Sequence, residues 1–280
     1  MKRTLGALSI LLLFGSAAHA GTFYKKVDEA RAAAKASNKL IFVDFFAEWC
    51  GWCHRFDREI VPSEAFQEAT KNMVLLRVDT EDRGEGTAFA RKYSITRLPT
   101  FVVVTPEGAI AAVVQGYAPA PDFVARMNAE LAKYQKLKSD LKAESTRTPQ
   151  QRLDLAMELT TRLDYGTAIP RLQKLAATAP SGVKEEATFV LGYAQRAAGD
   201  VDGAVATLST LLGKKLKGDS VERAWLLRAE IYREQKKFQA ALADYKKFQS
   251  AFPKSAHMQT ANFWASQLEP MVAAQTSGKK

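Results

Sequence analysis

The chain has 280 residues, long enough for two domains of ordinary size, with 40 basic and 30 acidic residues and two cysteines. Two neighbouring cysteines exclude a structural disulfide framework and leave the pair available for chemistry. The charge of +10 does not argue for nucleic acid: Lys and Arg are interspersed with acids, and no arginine-rich run or base-stacking motif appears. It reads as a solvated basic surface that steers toward acidic partners.

Residues 1–20 read as a signal peptide rather than structure. Lys2 and Arg3 make the basic start, Leu5 to Phe14 the apolar core and Ala18-His19-Ala20 a small-x-small cleavage site. The core is too short to span a bilayer stably, so no membrane anchor is expected after cleavage. No cysteine follows the cleavage site to carry a lipid. Loss of Lys2 and Arg3 leaves 38 basic residues against 30 acids, or +8. The signal looks bacterial, which sends the mature chain to the disulfide-permissive periplasm.

Tyr24 to Asn38 reads as a first helix. The apolar run from Leu40 to Phe46 is of strand length and reads as a strand buried on both faces, at the centre of an α/β sheet. Asp44 interrupts it, and an acid inside a buried strand needs a reason. Cys50-Gly51-Trp52-Cys53 follows, after which Trp52, Phe56 and Ile60 recur at helical spacing. Cys50 therefore sits at or beside a helix N-terminus, where free N–H groups and the helix dipole stabilise a thiolate. Cys50 is the candidate exposed nucleophile, and Cys53, one turn on, the resolving thiol. A rival reading stays open, since Cys50-Gly51-Trp52-Cys53-His54 also satisfies the covalent haem c pattern, with His54 as iron ligand. The dithiol reading needs no bound cofactor and no metal.

The active-site helix is expected to stop before Pro62, with a new start at Ser63. Met73–Asp79 reads as a strand, 87–93 as a helix, and 100–105 with 109–115 as a hairpin around Pro106-Glu107-Gly108. A final helix begins near Pro121 and runs past Lys138.

Two segments carry a family resemblance. Val43-Asp44-Phe45-Phe46-Ala47-Glu48-Trp49-Cys50-Gly51-Trp52-Cys53 is similar to the active-site segment of thioredoxin-like proteins, and Lys92-Tyr93-Ser94-Ile95-Thr96-Arg97-Leu98-Pro99-Thr100 to their cis-proline segment. The Val61-Pro62-Ser63 break resembles more the C-terminal domain of DsbD, a periplasmic electron-transfer protein. The resemblance implies a thioredoxin fold and thiol:disulfide exchange with protein substrates and an upstream redox partner, reduction being the favoured direction. It implies a catalytic set of Cys50, Cys53 and Asp44, with Asp44 accepting the proton that Cys53 loses. The lysine that often partners this acid is not evident; Leu75 falls at about its position. The resemblance also implies a cis Pro99, with Trp49, Gly51, Trp52, Leu98 and Pro99 forming the substrate-binding surface.

Residues 136–148 are charged and poor in large apolar side chains, which marks a helical or charged linker between a domain at 21–135 and another at 149–270. Beyond it every segment reads as helical. Ala156, Gly192 and Ala229 recur at intervals of 36 and 37 residues, as do Ala168, Ala204 and Ala241. Trp225, Ala229, Tyr232, Ala241, Tyr245 and Pro253 resemble a tetratricopeptide repeat, preceded by two looser units and followed by a capping helix at 255–268. The expected architecture is thus an α/β thioredoxin fold followed by an all-α tetratricopeptide-like domain, with 271–280 as a flexible tail. Such stacks bind peptides or partner proteins. A non-enzymatic adaptor, with both domains acting as docking modules, is the alternative function, and an unrelated helical bundle the alternative fold for the second domain.

Overall fold

The computed structural model describes residues 22–214 and 218–277, so the expected signal peptide lies outside the described residues. The chain divides into two compact units. One reaches to Glu107 and takes in Ala111–Leu131; the other comprises Gly108–Ile110 and the residues from Ala132 onward.

The first unit is built on a four-stranded sheet in the order β2-β1-β3-β4. Helix α1 (Val27–Ser37) ends at Asn38, whose left-handed φ of 52° turns the chain into β1 (Leu40–Phe46). The expected helix from Tyr24 begins three residues late. Tyr24 bridges to Leu76, donating its N–H to the Leu75 carbonyl and accepting from Arg77, which satisfies backbone groups at the edge of β2 (Met73–Asp79). β1 runs parallel to β2 and antiparallel to β3 (Thr100–Val104). It therefore lies between two strands, buried almost throughout as its apolar run requires. β4 (Ile110–Gln115) completes the sheet beside β3.

Helix α2 (Gly51–Glu59) leaves the end of β1, and Ser63 caps α3 (Glu64–Thr70) through its hydroxyl. Helix α4 (Glu85–Lys92) follows a loop in which Asp82 accepts N–H bonds from Gly84, Gly86 and Thr87. Those bonds, Gly84 first, hold its carboxyl at about 2. Helix α5 (Ala120–Lys142) contributes Phe123, which joins Phe42, Phe56, Phe66 and Phe101 in a fully buried ring cluster, its closest pair at 4.2 Å. Each buried Phe contributes about 1.5–3 kcal/mol. Because Phe56 belongs to α2, this cluster fixes the position of the cysteine-bearing helix against the sheet.

The second unit is helical. The segment expected as a linker is mostly the end of α5, followed by a 3₁₀ turn at Glu144–Thr146. Thr148 then starts α6 (Pro149–Thr161) with a capping box to Gln151 and proline at the first helical position. Helices α7 (Tyr165–Thr178), α8 (Val183–Ala197), α9 (Val201–Leu212), α10 (Asp219–Glu234) and α11 (Phe238–Ala251) complete three pairs. The small residues of the 36–37 repeat, Ala156, Gly192, Ala229, Ala168, Ala204 and Ala241, are all buried, where a larger side chain would hold the helices apart. At Gly192 a Cβ would lie 2.8 Å from the side chain of Leu208 in the paired helix. Across α10 and α11, Arg228 makes a bidentate ion pair with Asp244, at 2.7 and 2.8 Å, with both side chains nearly buried. The last helix, α12 (Met258–Ser277), starts and ends later than the expected capping helix and continues through the region expected as a flexible tail. Residues 278–280 lie outside the described residues.

Candidate functional site

Four residues separate the end of β1 from α2, and the Cys50 N–H closes that turn on the Ala47 carbonyl at 2.9 Å. Cys50 is the N-cap of α2, its Sγ accepting the Cys53 N–H at 3.2 Å. The two sulfurs are joined as a disulfide, with Cα atoms 5.2 Å apart. Each cysteine retains only 3 % exposure, so the expected exposed nucleophile is recessed in the disulfide state, while the flanking Trp49 and Trp52 project at 68 % and 54 %. His54, offered by the haem pattern as a ligand, is half-buried, with Nε2 2.7 Å from the Glu48 carbonyl oxygen.

Asp44, six residues before Cys50, is 2 % exposed in the middle of β1. The parallel register sets it opposite Arg77, not Leu75, and Arg77 supplies the cation that the sequence comparison missed. Its Nε donates to Asp44 Oδ2 at 3.0 Å and its Nη2 lies 2.9 Å from the same oxygen. That nitrogen also donates to Asp57 of α2. The guanidinium lies 4.7 Å from the Phe23 ring centre and 5.4 Å from that of Phe46. Asp44 Oδ1 finds no hydrogen-bond donor among the described residues. Burial pushes the Asp44 carboxyl up to about 6, opposed by Arg77 and reinforced by the negative charge of Asp57.

The remaining expected residues come from the β3 side. The Leu98–Pro99 peptide bond is cis, as the resemblance implied. Pro99 is buried and Leu98 half-buried. The Pro99 carbonyl accepts the Gly116 N–H at 2.9 Å, and the next residue, Tyr117, packs against Trp52 with ring centres 5.3 Å apart. That chain of contacts links the Leu98–Pro99 segment to the first turn of α2. Gly51 is exposed, with open space where a Cβ would stand.

Residues 27–131 match the thioredoxin-like domain family. The first unit is a thioredoxin-like domain. Residues 153–221 and 189–256 match tetratricopeptide repeats, so the helical unit is a repeat stack and not an unrelated bundle. The thioredoxin-like domain is similar to part of the thiol:disulfide interchange protein DsbD of Pseudoalteromonas atlantica, 32 % identical over 82 residues, covering 29 % of this chain and 14 % of that protein. It is also similar to thioredoxin 1 of Plasmodium falciparum, 42 % identical over 71 residues, covering 24 % of this chain and 60 % of that one. Among solved structures, the oxidised C-terminal domain of Neisseria meningitidis DsbD aligns over 39 % of this chain and 99 % of its own, with 18 % identity and a TM-score of 0.34. The chain spans less than a fifth of the length of the DsbD relatives it matches. A thioredoxin-like domain with the Cys50–Cys53 pair at a helix start is the arrangement of a thiol:disulfide oxidoreductase.

Sequence reasoning missed Arg77, Asp57 and Tyr117. A signal for Arg77 existed. Asp44 and Arg77 are each the fifth residue of a seven-residue apolar strand, and each is the charge interrupting it. Among the described residues no group of three His, Cys, Asp or Glu side chains is placed to hold a metal ion, and no helix is long and apolar enough to cross a membrane.

Proposed function

We propose that this chain is a periplasmic thiol:disulfide oxidoreductase that reduces disulfides of protein substrates and is recharged by an upstream redox partner. The observation that carries the reading is the Cys50–Cys53 pair at the start of α2, with Cys50 capping the helix and a buried acid, Asp44, in the preceding strand. In the reduced form the Cys50 thiolate attacks one sulfur of a substrate disulfide, and the other substrate sulfur leaves as thiolate. Cys53, losing its proton to Asp44, then attacks Cys50 Sγ and releases the second substrate sulfur. Two electrons pass to the substrate and the Cys50–Cys53 disulfide is left. A carboxyl held near 6 is suited to accept a proton close to neutral pH. Leu98 offers backbone to an extended substrate segment, with Pro99 and the exposed indoles of Trp49 and Trp52 completing the binding surface. The tetratricopeptide repeats hold a partner protein and raise its concentration near Cys50.

The deciding experiment is the equilibrium of the full-length dithiol against glutathione. A potential near the about −270 mV of thioredoxins is expected; one near the about −120 mV of strong oxidants would reverse the direction. Inert thiols on a chain that still binds partners tightly would favour the adaptor.

A further inference from the structure

The two indoles beside the disulfide are held differently. Trp49 is tethered by one bond, its Nε1–H donating to Glu81 at 2.9 Å. Trp52 belongs to a closed four-residue cluster. Trp52, Arg55 and Glu59 share one face of α2 at i, i+3 and i+7, and Tyr117 comes to them from the end of β4. The Arg55 guanidinium carbon lies 5.5 Å from the Trp52 ring centre and 4.8 Å from that of Tyr117. Arg55 Nε donates to Glu59 at 2.8 Å, and the Tyr117 hydroxyl donates to the same carboxylate.

Every charge in this cluster is answered within it. The hydrogen bond from Tyr117, then that from Arg55, holds the Glu59 carboxyl below its usual range. Arg55 is paired with Glu59 and lies against two ring faces, so its charge is offset locally by a carboxylate. The cluster turns to solvent the indole of Trp52, two residues from Cys50 and more than half exposed, beside the partly exposed Arg55–Glu59 ion pair. A partner whose sulfur reaches Cys50 must lay its neighbouring residues within reach of that indole. A tryptophan already locked by its neighbours loses little conformational freedom on contact, the condition under which an aromatic anchor contributes most.

We propose that this cluster is a specificity wall, selecting partners with a bulky apolar or aromatic side chain next to their reactive cysteine, with Tyr117, Arg55 and Glu59 as positioning residues for Trp52. The proposal deepens the thiol–disulfide exchange reading and rests on it.

The test uses the full chain and a set of peptide disulfides identical except for Phe, Asp or Lys beside one cysteine, with hydroxyethyl disulfide as the small reference. The Phe peptide should exceed the Asp peptide about tenfold in kcat/KM, mostly through KM. Tyr117→Ala should bring that ratio toward one, while Tyr117→Phe, which keeps the ring against Trp52, should retain it. Glu59→Gln frees the Arg55 charge and should move the preference toward the Asp peptide, a change that a merely structural role would not produce. Equal turnover of the Phe and Asp peptides by the unaltered chain would overturn the wall, as would a ratio unmoved by both Tyr117→Ala and Glu59→Gln. Failure to turn over hydroxyethyl disulfide as well as the peptides would instead remove the exchange reading beneath it.

Discussion

Replacing Asp44 with Asn should stabilise the thioredoxin-like domain and slow its chemistry. The folded domain holds the Asp44 proton more tightly than the unfolded chain does, since the carboxyl titrates at about 6 when buried and at 3.8 when free. The resulting stabilisation is complete below pH 3.8 and is lost as the pH rises through about 6. At about 1.36 kcal/mol per pH unit, the loss across that window amounts to about 3 kcal/mol. Asn keeps the shape, carries no charge to desolvate, and leaves Arg77 with Asp57 as its partner. The Asn variant should therefore match the parent near pH 4 and be about 3 kcal/mol more stable at pH 8. Denaturant unfolding read by pulsed hydrogen exchange on β1 peptides reports this domain separately from the repeats. The same substitution should slow release of the mixed disulfide more than its formation, because the acceptor for the Cys53 proton is gone. A stability difference that does not change with pH, or an Asn variant less stable at pH 8, would refute the account of Asp44.

Four further outcomes are expected. Iodoacetamide at mildly acidic pH should label Cys50 of the reduced chain before Cys53, and Cys53→Ser should accumulate mixed disulfides that Cys50→Ser does not, as read by non-reducing gels. Gly192→Ala should cost about 1–3 kcal/mol because Leu208 is fully buried and cannot yield, whereas Gly166→Ala, with open space at its Cβ, should be neutral or stabilising in thermal melts. Asp244→Ala should cost about 3–5 kcal/mol in denaturant unfolding by leaving Arg228 buried without its carboxylate. Residues 21–135 alone should reduce a small disulfide at close to the full-length rate while capturing natural partners less well, measured by pull-down with the Cys53→Ser trap.

The strand before the cysteines, the helix after them and the small-residue repeat were legible because each is a local pattern. A continuous apolar run, a 3.6-residue period and a fixed interval survive without knowledge of neighbours. Arg77 was not legible in the same way, since its partnership with Asp44 depends on how two strands 33 residues apart align. Tyr117 was hidden for a similar reason: it reaches Trp52 through the bond between Gly116 and Pro99, which joins segments with no common periodicity. Residues 271–277 hold few large apolar side chains and read as a tail, yet α12 runs to Ser277 and Val272 packs against the core of the last repeat. The start of α1 was misplaced because Tyr24 pairs with β2, a tertiary demand that overrides the helical tendency of its neighbours.

The pairing of Asp44 with Arg77 ties the electrostatics of the cysteine turn to the alignment of two parallel strands. Side chains alternate across a sheet, so a shift of β2 by one residue would turn Arg77 to the opposite face and leave Asp44 against an aliphatic neighbour. Length changes in the turns at 61–63, 71–72 or 80–84 leave that alignment intact, whereas one inserted residue within 73–77 does not. The chain can therefore remodel its surface over evolutionary time without disturbing this charge pair, while β2 itself tolerates almost no insertion or deletion. A library of random insertions, screened for disulfide exchange, would show a gap over β2 that follows the sheet and not the distance from Cys50.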